Sequence, residues 1–108
     1  MKEVLSGIAI VATLCLAGSI ARAQDVANGE KVYRAKCAMC HGPDGKGDTA
    51  VGRTTKARDI CSAEVKKESD AAWTEIIVKG KNKMPLYDKK LTDAEVKDVI
   101  AYMRSLCE

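Results

Sequence analysis

Five consecutive residues, Cys37-Ala38-Met39-Cys40-His41, concentrate the most reactive side chains of the chain at the tightest spacing. Two thiols separated by two residues, with an imidazole directly after the second, form the C-x-x-C-H pattern of covalent haem attachment. The chemistry needs that spacing. About one helical turn lies between the thiols, which suits the porphyrin edge that carries its two vinyl-derived carbons, and His41 is then swung beneath the ring to offer iron a nitrogen. Besides chance, two other readings of paired cysteines compete. A structural zinc takes four ligands, usually from a second cysteine or histidine pair, whereas His41 is the only histidine and Cys61 and Cys107 stand apart. A thioredoxin-like dithiol belongs in a βαβ setting, and no segment here reads as a strand. The pattern predicts one covalently bound haem c, with Cys37 and Cys40 as anchors and His41 as an axial iron ligand.

With the one histidine used, the second axial ligand has to be of another type, and a methionine thioether is the remaining soft donor. Met1 falls in a leader segment, Met39 lies inside the attachment turn, and Met103 sits on the inner face of a helix, where core packing is its ordinary role. Met84 is left, in an irregular stretch and followed by Pro85, which restricts it to extended geometry. Packing is the competing role for any loop methionine, but beside a haem the His/Met pair is that of electron-carrying cytochromes. Thioether ligation favours ferrous iron. Two filled axial positions leave none for oxygen or substrate, so the expectation is a carrier cycling Fe(II) and Fe(III), and not an enzyme.

These residues must be positioned by a small domain. Residues 1–23 read as a cleaved secretory signal peptide: Lys2 at the charged end, an apolar run from Ile8 to Ala17, and Ala21-Arg22-Ala23 as the cleavage site. The run is short of the roughly 20 residues of a membrane span, so no stable membrane insertion is expected after cleavage; a retained anchor is the competing reading. Export places the remainder in the periplasm, where haem attachment occurs and disulfides persist. The remaining domain, residues 24–108, is near the size at which a hydrophobic core alone is marginal. It has no Phe, one Trp and three Tyr, so a buried porphyrin would supply the missing apolar mass. Its 16 basic and 14 acidic residues are too balanced to suggest nucleic acid.

A first helix is predicted from Asp25 to about Lys36, with Val26, Gly29, Val32 and Tyr33 on one face; it delivers the two thiols at its end. Gly29 lowers helix propensity, which marks a close helix contact. The turn-forming run Gly42 to Asp48 ends helical structure, and the small polar residues from there to Arg58 predict an ordered loop. Ser62 to about Lys67 predicts a helical turn. Ser69 or Asp70 caps a helix that runs to Lys79 and stops at Gly80. The last helix opens with a Thr92/Glu95 capping box and a Leu91/Val96 staple. Its inner face is Val96, Val99, Ile100, Met103 and Leu106.

Taken together, Gly29-x-x-x-Tyr33, Cys37 to Gly42, Lys79-Gly80-Lys81-Asn82-Lys83-Met84-Pro85 and Val99 to Leu106 resemble the class I c-type cytochromes of the small, single-domain bacterial kind. The resemblance covers the whole of residues 24–108. It implies an all-α cytochrome c fold, three to five helices around one covalently bound haem, with the first and last helices crossing so that Gly29 and Tyr33 meet Val99 and Tyr102. It implies a monomer that serves redox partner proteins through an exposed haem edge. The chain departs from the family where many members carry a Gly-Pro pair whose carbonyl orients the histidine; here stands Val51-Gly52-Arg53-Thr54-Thr55, and a carbonyl of that region is expected to take the bond. Lys56, Arg58 and Trp73 are candidates for the haem propionates, each with surface or packing roles as the alternative.

Cys61 and Cys107 form an even leftover pair, which in an oxidising compartment suggests a disulfide; separate thiols or an intermolecular bridge are the alternatives. Lys79, Lys81, Lys83, Lys89 and Lys90 crowd the segments around Met84 and predict docking to acidic partner surfaces, against the plainer reading of a solvated loop. Two other functions compete with the soluble carrier: a tethered haem subunit of a larger oxidoreductase complex, and a peroxidase-like haem enzyme, for which no second histidine is available.

Overall fold

The structure is a computed structural model that describes residues 23–108, so the leader segment lies outside the described residues. The local signals act where the sequence places them. Asp25 caps α1 (Val26–Lys36) by accepting from the Asn28 N–H. Ser62 caps the single turn α4 (Ala63–Lys66), and Ser69 caps α5 (Asp70–Lys79), which ends at Gly80 with φ of 75°. The capping box of Thr92 and Glu95 opens α6 (Asp93–Leu106) with both of its reciprocal bonds made. The cysteine pair flanks and enters the short α2 (Ala38–His41).

One element was not expected. Residues 50–55 form a helix, α3 (Ala50–Thr55), where composition predicts a loop. Thr49 supplies the cap through its side chain and Lys56 closes the helix in the left-handed region, at φ 58°. This correction brings the helical segments to six among the described residues, three of them only four to six residues long. The all-α class stands: the sole β-type pairing described is the isolated bridge between Lys81 and Met84.

The core is built where α1 crosses α6. Val32 and Tyr33 from one side meet Val96, Val99, Ile100 and Met103 from the other, and Ile60, Val65, Trp73 and Ile77 extend the same cluster. Gly29 makes the crossing possible: a Cβ there would lie 2.0 Å from the Asp98 carbonyl oxygen. The helix backbones therefore touch at Asp98, one residue before the expected Val99, with the Tyr102 Cβ beside them, while the Tyr33 and Tyr102 rings pack with centroids 5.3 Å apart. Asp98 is fully buried. Its carboxylate accepts from the Asp25 N–H at 2.8 Å and from Asn28 Nδ2 at 2.9 Å, so it pins the start of α1 to α6. At the other end Cys61 and Cys107 are joined by a disulfide spanning 46 positions, which settles the alternatives left open for them and ties the segment before α4 to the end of α6.

Gly29→Ala puts a methyl group against backbone that cannot move aside. It is expected to cost about 3 kcal/mol, the upper end of overpacking penalties, read as a lowered midpoint of urea unfolding.

Candidate functional site

His41 is held by atoms from three segments. The end of α1 passes the chain to Cys37, whose N–H bonds to the Tyr33 carbonyl at 2.8 Å, and α2 carries Cys40 and His41 forward from there. Thr49 fastens this turn from outside, its hydroxyl lying 2.9 Å from both the Met39 and Cys40 carbonyls while accepting from the Gly52 N–H at 2.8 Å. Gly52 lets α3 come that close; a Cβ would sit 2.3 Å from the Cys40 carbonyl oxygen. After the histidine, the buried Tyr33 hydroxyl donates to the Gly42 carbonyl.

The imidazole is oriented by backbone. His41 Nδ1 lies 3.0 Å from the Arg58 carbonyl, which can only accept, so Nδ1 carries the proton and Nε2 keeps its lone pair in the neutral ring. This corrects the expectation that a carbonyl between residues 51 and 55 does the work: those residues lie in α3, and the bond goes to the segment after it. Burial pushes the His41 ring toward its neutral form, opposed in part by the bond to Arg58, and neutral imidazole is the state that ligates metals. Burial also pushes the Cys37 thiol up to about 11, with the neighbouring Cys40 adding to the effect. Redox dithiols lower their thiol pKa, so the direction is contrary to the competing dithiol reading.

Met84 comes from the opposite side. Its loop hangs from α5 by the Tyr87 N–H to Ile77 carbonyl and Asp88 N–H to Val78 carbonyl bonds, and it is braced by a Tyr87 hydroxyl bond to the Lys36 carbonyl at 2.9 Å. Within the loop, Lys81 and Met84 exchange backbone bonds of 3.2 and 2.9 Å, fixing a tight turn that presents a half-buried Met84. Cys37, Cys40, His41 and Met84 all line one cleft of about 410 Å³, within the size range of cofactor sites. A smaller space of about 70 Å³ adjoins it, lined also by Ile60, Trp73, Ile77 and Met103. Met103 is 5 % exposed in the core and Met39 is 73 % exposed on the surface, whereas Met84 lines the same cleft as His41. Cys37 and Cys40 are unpaired whereas Cys61 and Cys107 are bonded to each other. Two free thiols, a lone-pair nitrogen and a thioether sulfur around one apolar-floored cleft fit a covalently attached haem.

The propionate candidates sort differently. Trp73 spends its indole N–H on the Val65 carbonyl at 3.0 Å, so it serves packing, with the Arg104 guanidinium stacked 3.8 Å from its ring centre. Lys56 and Arg58 do line the cleft. Of the five lysines noted around Met84, Lys81 and Lys83 line the cleft, joined by the propionate candidate Lys56 and by Lys36, which sequence spacing could not place there; Lys79 is occupied with Glu75 at 3.1 Å.

Tyr33→Phe leaves the buried Gly42 carbonyl without its donor. It is expected to cost about 1–3 kcal/mol in chemical denaturation while leaving haem attachment intact.

Against known proteins, residues 24–103 match the family model described as Cytochrome C oxidase, cbb3-type, subunit III. Cytochrome c6 of Porphyra purpurea is 34% identical over 110 residues, covering 100% of this chain and 97% of the relative. Cytochrome c6 of Thermosynechococcus vestitus is 34% identical over 103 residues, 94% of this chain and 89% of the relative. Among solved structures, the KustC0563 c-type cytochrome superposes with a TM-score of 0.68 at 35% identity, covering 74% of this chain and 98% of that one. Cytochrome c6 of the diatom Phaeodactylum tricornutum superposes with a TM-score of 0.60 at 27% identity, over 77% of this chain and 94% of that one.

Proposed function

The chain belongs to the class I c-type cytochromes, electron carriers with one covalently bound haem c that serve redox partner proteins, and on that premise we propose that it is a soluble periplasmic carrier with His/Met axial ligation. Cys37 and Cys40 would hold the haem through thioether bonds, and His41 Nε2 and the Met84 sulfur would ligate its iron. The haem supplies a one-electron Fe(II)/Fe(III) couple. The chain's own residues fix how that couple behaves. The Arg58 carbonyl holds the His41 ring in one tautomer and orientation, as ligating histidines require. The soft Met84 donor and the apolar floor of Ile60, Ile77 and Met103 favour the ferrous state. Because the Met84 turn and the α2 turn are each fixed by backbone bonds, each would present its ligand from a preformed element.

The observation that carries this reading is the convergence of Cys37, Cys40, His41 and Met84 on one cleft. Met84→Ala should abolish the weak far-red band that thioether ligation gives the ferric form and lower the reduction potential, with haem still covalently attached; a variant spectrum identical to the wild type's contradicts the ligand assignment. Cleavage after Ala23 and release as a monomer complete the proposal. Among the described residues no helix is long and apolar enough to cross a membrane.

A second reading, a haem subunit of a larger oxidoreductase, is favoured by the description of the matched family model. The near-complete coverage of the cytochrome c6 relatives favours the carrier; a partner that co-purifies in fixed proportion would reverse the preference.

Lys36, Lys56, Lys81 and Lys83 around the cleft mouth are suited to steer acidic partners into brief encounters. Replacing Lys81 and Lys83 together by Glu is expected to slow electron exchange with an acidic partner roughly tenfold at low salt, and the difference should vanish at high ionic strength.

A further inference from the structure

Among the described residues, the loop from 80 to 90 carries Met84 with no helix and a single isolated bridge of its own. Its order is imported, and much of it enters at Tyr87. The Tyr87 N–H donates to the Ile77 carbonyl at 3.0 Å, which hangs the loop from α5. The Tyr87 carbonyl accepts from the Lys90 N–H at 3.0 Å and the Leu91 N–H at 3.1 Å, which leads the chain toward α6. The Tyr87 hydroxyl donates to the Lys36 carbonyl at 2.9 Å, 51 positions away. That carbonyl is among the last four of α1, which a helix leaves without partners of its own. Lys36 directly precedes Cys37, and Tyr87 follows Met84 by three positions. One phenol therefore joins the methionine loop to the helix end that leads into the attachment turn.

A second bond ties the loop to the same half of the molecule, from Lys83 Nζ to the Thr54 carbonyl at 3.4 Å. The two are not equal. Lys83 is exposed, and holding its long stem in one geometry costs as much rotamer freedom as a hydrogen bond gives back. Tyr87 is half-buried, its ring has only two torsions to fix, and its backbone is already held at both N–H and carbonyl. The tyrosine is the stronger tie.

What the tie would hold is the sulfur ligand. A thioether favours ferrous iron, so the ferric protein is where ligation by Met84 is weakest and where local opening of a loop competes with it most. We propose that Tyr87 is the positioning residue for Met84: its hydroxyl, clasped to the Lys36 carbonyl, keeps the loop closed and the thioether in place in the ferric state. The inference rests on the assignment of His41 and Met84 as the iron ligands. Any opening that carries Met84 away from the cleft has to break the clasp, and without the clasp the open population rises by the net strength of that one bond.

The test is imidazole binding to the ferric, haem-loaded protein at neutral pH. Added imidazole reaches the iron only when Met84 is off it, so its apparent affinity follows the open fraction. Tyr87→Phe keeps the ring and deletes the clasp, and its apparent affinity for imidazole is expected to rise about three- to tenfold, the net strength of one neutral hydrogen bond. Asn28→Ala serves as the control. It removes the Asn28 Nδ2 bond to Asp98 at the far end of α1, so it should lower the midpoint of urea unfolding while leaving imidazole affinity within about twofold, as distant sites do. An unchanged affinity in Tyr87→Phe, or an equal rise in Asn28→Ala, overturns the proposal, because the tyrosine would then serve general stability alone. The far-red band of the ferric wild type, recorded before imidazole is added, reports the ligand assignment separately. Its absence overturns that assignment and the clasp with it; its presence beside an unchanged affinity in Tyr87→Phe overturns the clasp alone.

Discussion

Two helices in this chain touch backbone to backbone, and they do so because residue 29 has no side chain. Everything that follows depends on that contact. It sets where α1 ends, and α1 ends at the first thiol. A larger residue at position 29 would push α1 away from Asp98 and Tyr102, and the displacement would be carried through Tyr33 to Gly42 and the histidine between them. Asp98 works on the same joint from the other side, its buried carboxylate holding the first turn of α1. The disulfide closes the far end, so the segment that presents the Arg58 carbonyl to His41 is anchored three residues later at Cys61.

From this frame the two sides of the cleft are built by different means. The histidine side is rigid because three short elements are stitched together by backbone carbonyls and one threonine hydroxyl. The methionine side is a loop that derives its order from α5, through the Ile77 and Val78 carbonyls, and from Tyr87. Opposite constructions serve one purpose: each holds one side chain at the cleft without a hinge between it and the core. The apolar residues behind them exclude water, which is consistent with a chain whose small complement of aromatic residues leaves room for a porphyrin in its interior.

Much of this was readable in the residues. The Thr92/Glu95 capping box, the Ser69 cap and the Gly80 stop are local chemistry, and the helices begin and end where that chemistry places them. The attachment turn is a spacing, and spacings survive without coordinates. What escaped is non-local. The helix α3 is short and built from weak helix formers, and it exists because Thr49 caps it while bonded to the Met39 and Cys40 carbonyls. Asp98 reads as a solvent-facing residue of an amphipathic helix; its partners, Asp25 and Asn28, lie about seventy positions away in the chain. The atom that orients His41 is a backbone carbonyl, which every residue possesses, so no pattern of side chains could single out Arg58.

The central claim is that both faces of the iron are closed by this chain, by His41 on one side and Met84 on the other. The most direct measurement is the addition of carbon monoxide to the reduced, haem-loaded protein at neutral pH, followed by its absorption spectrum. The account predicts no change on mixing, because no coordination position is open. Ready formation of a carbon monoxide complex would contradict it and would mark the methionine face of the haem as vacant.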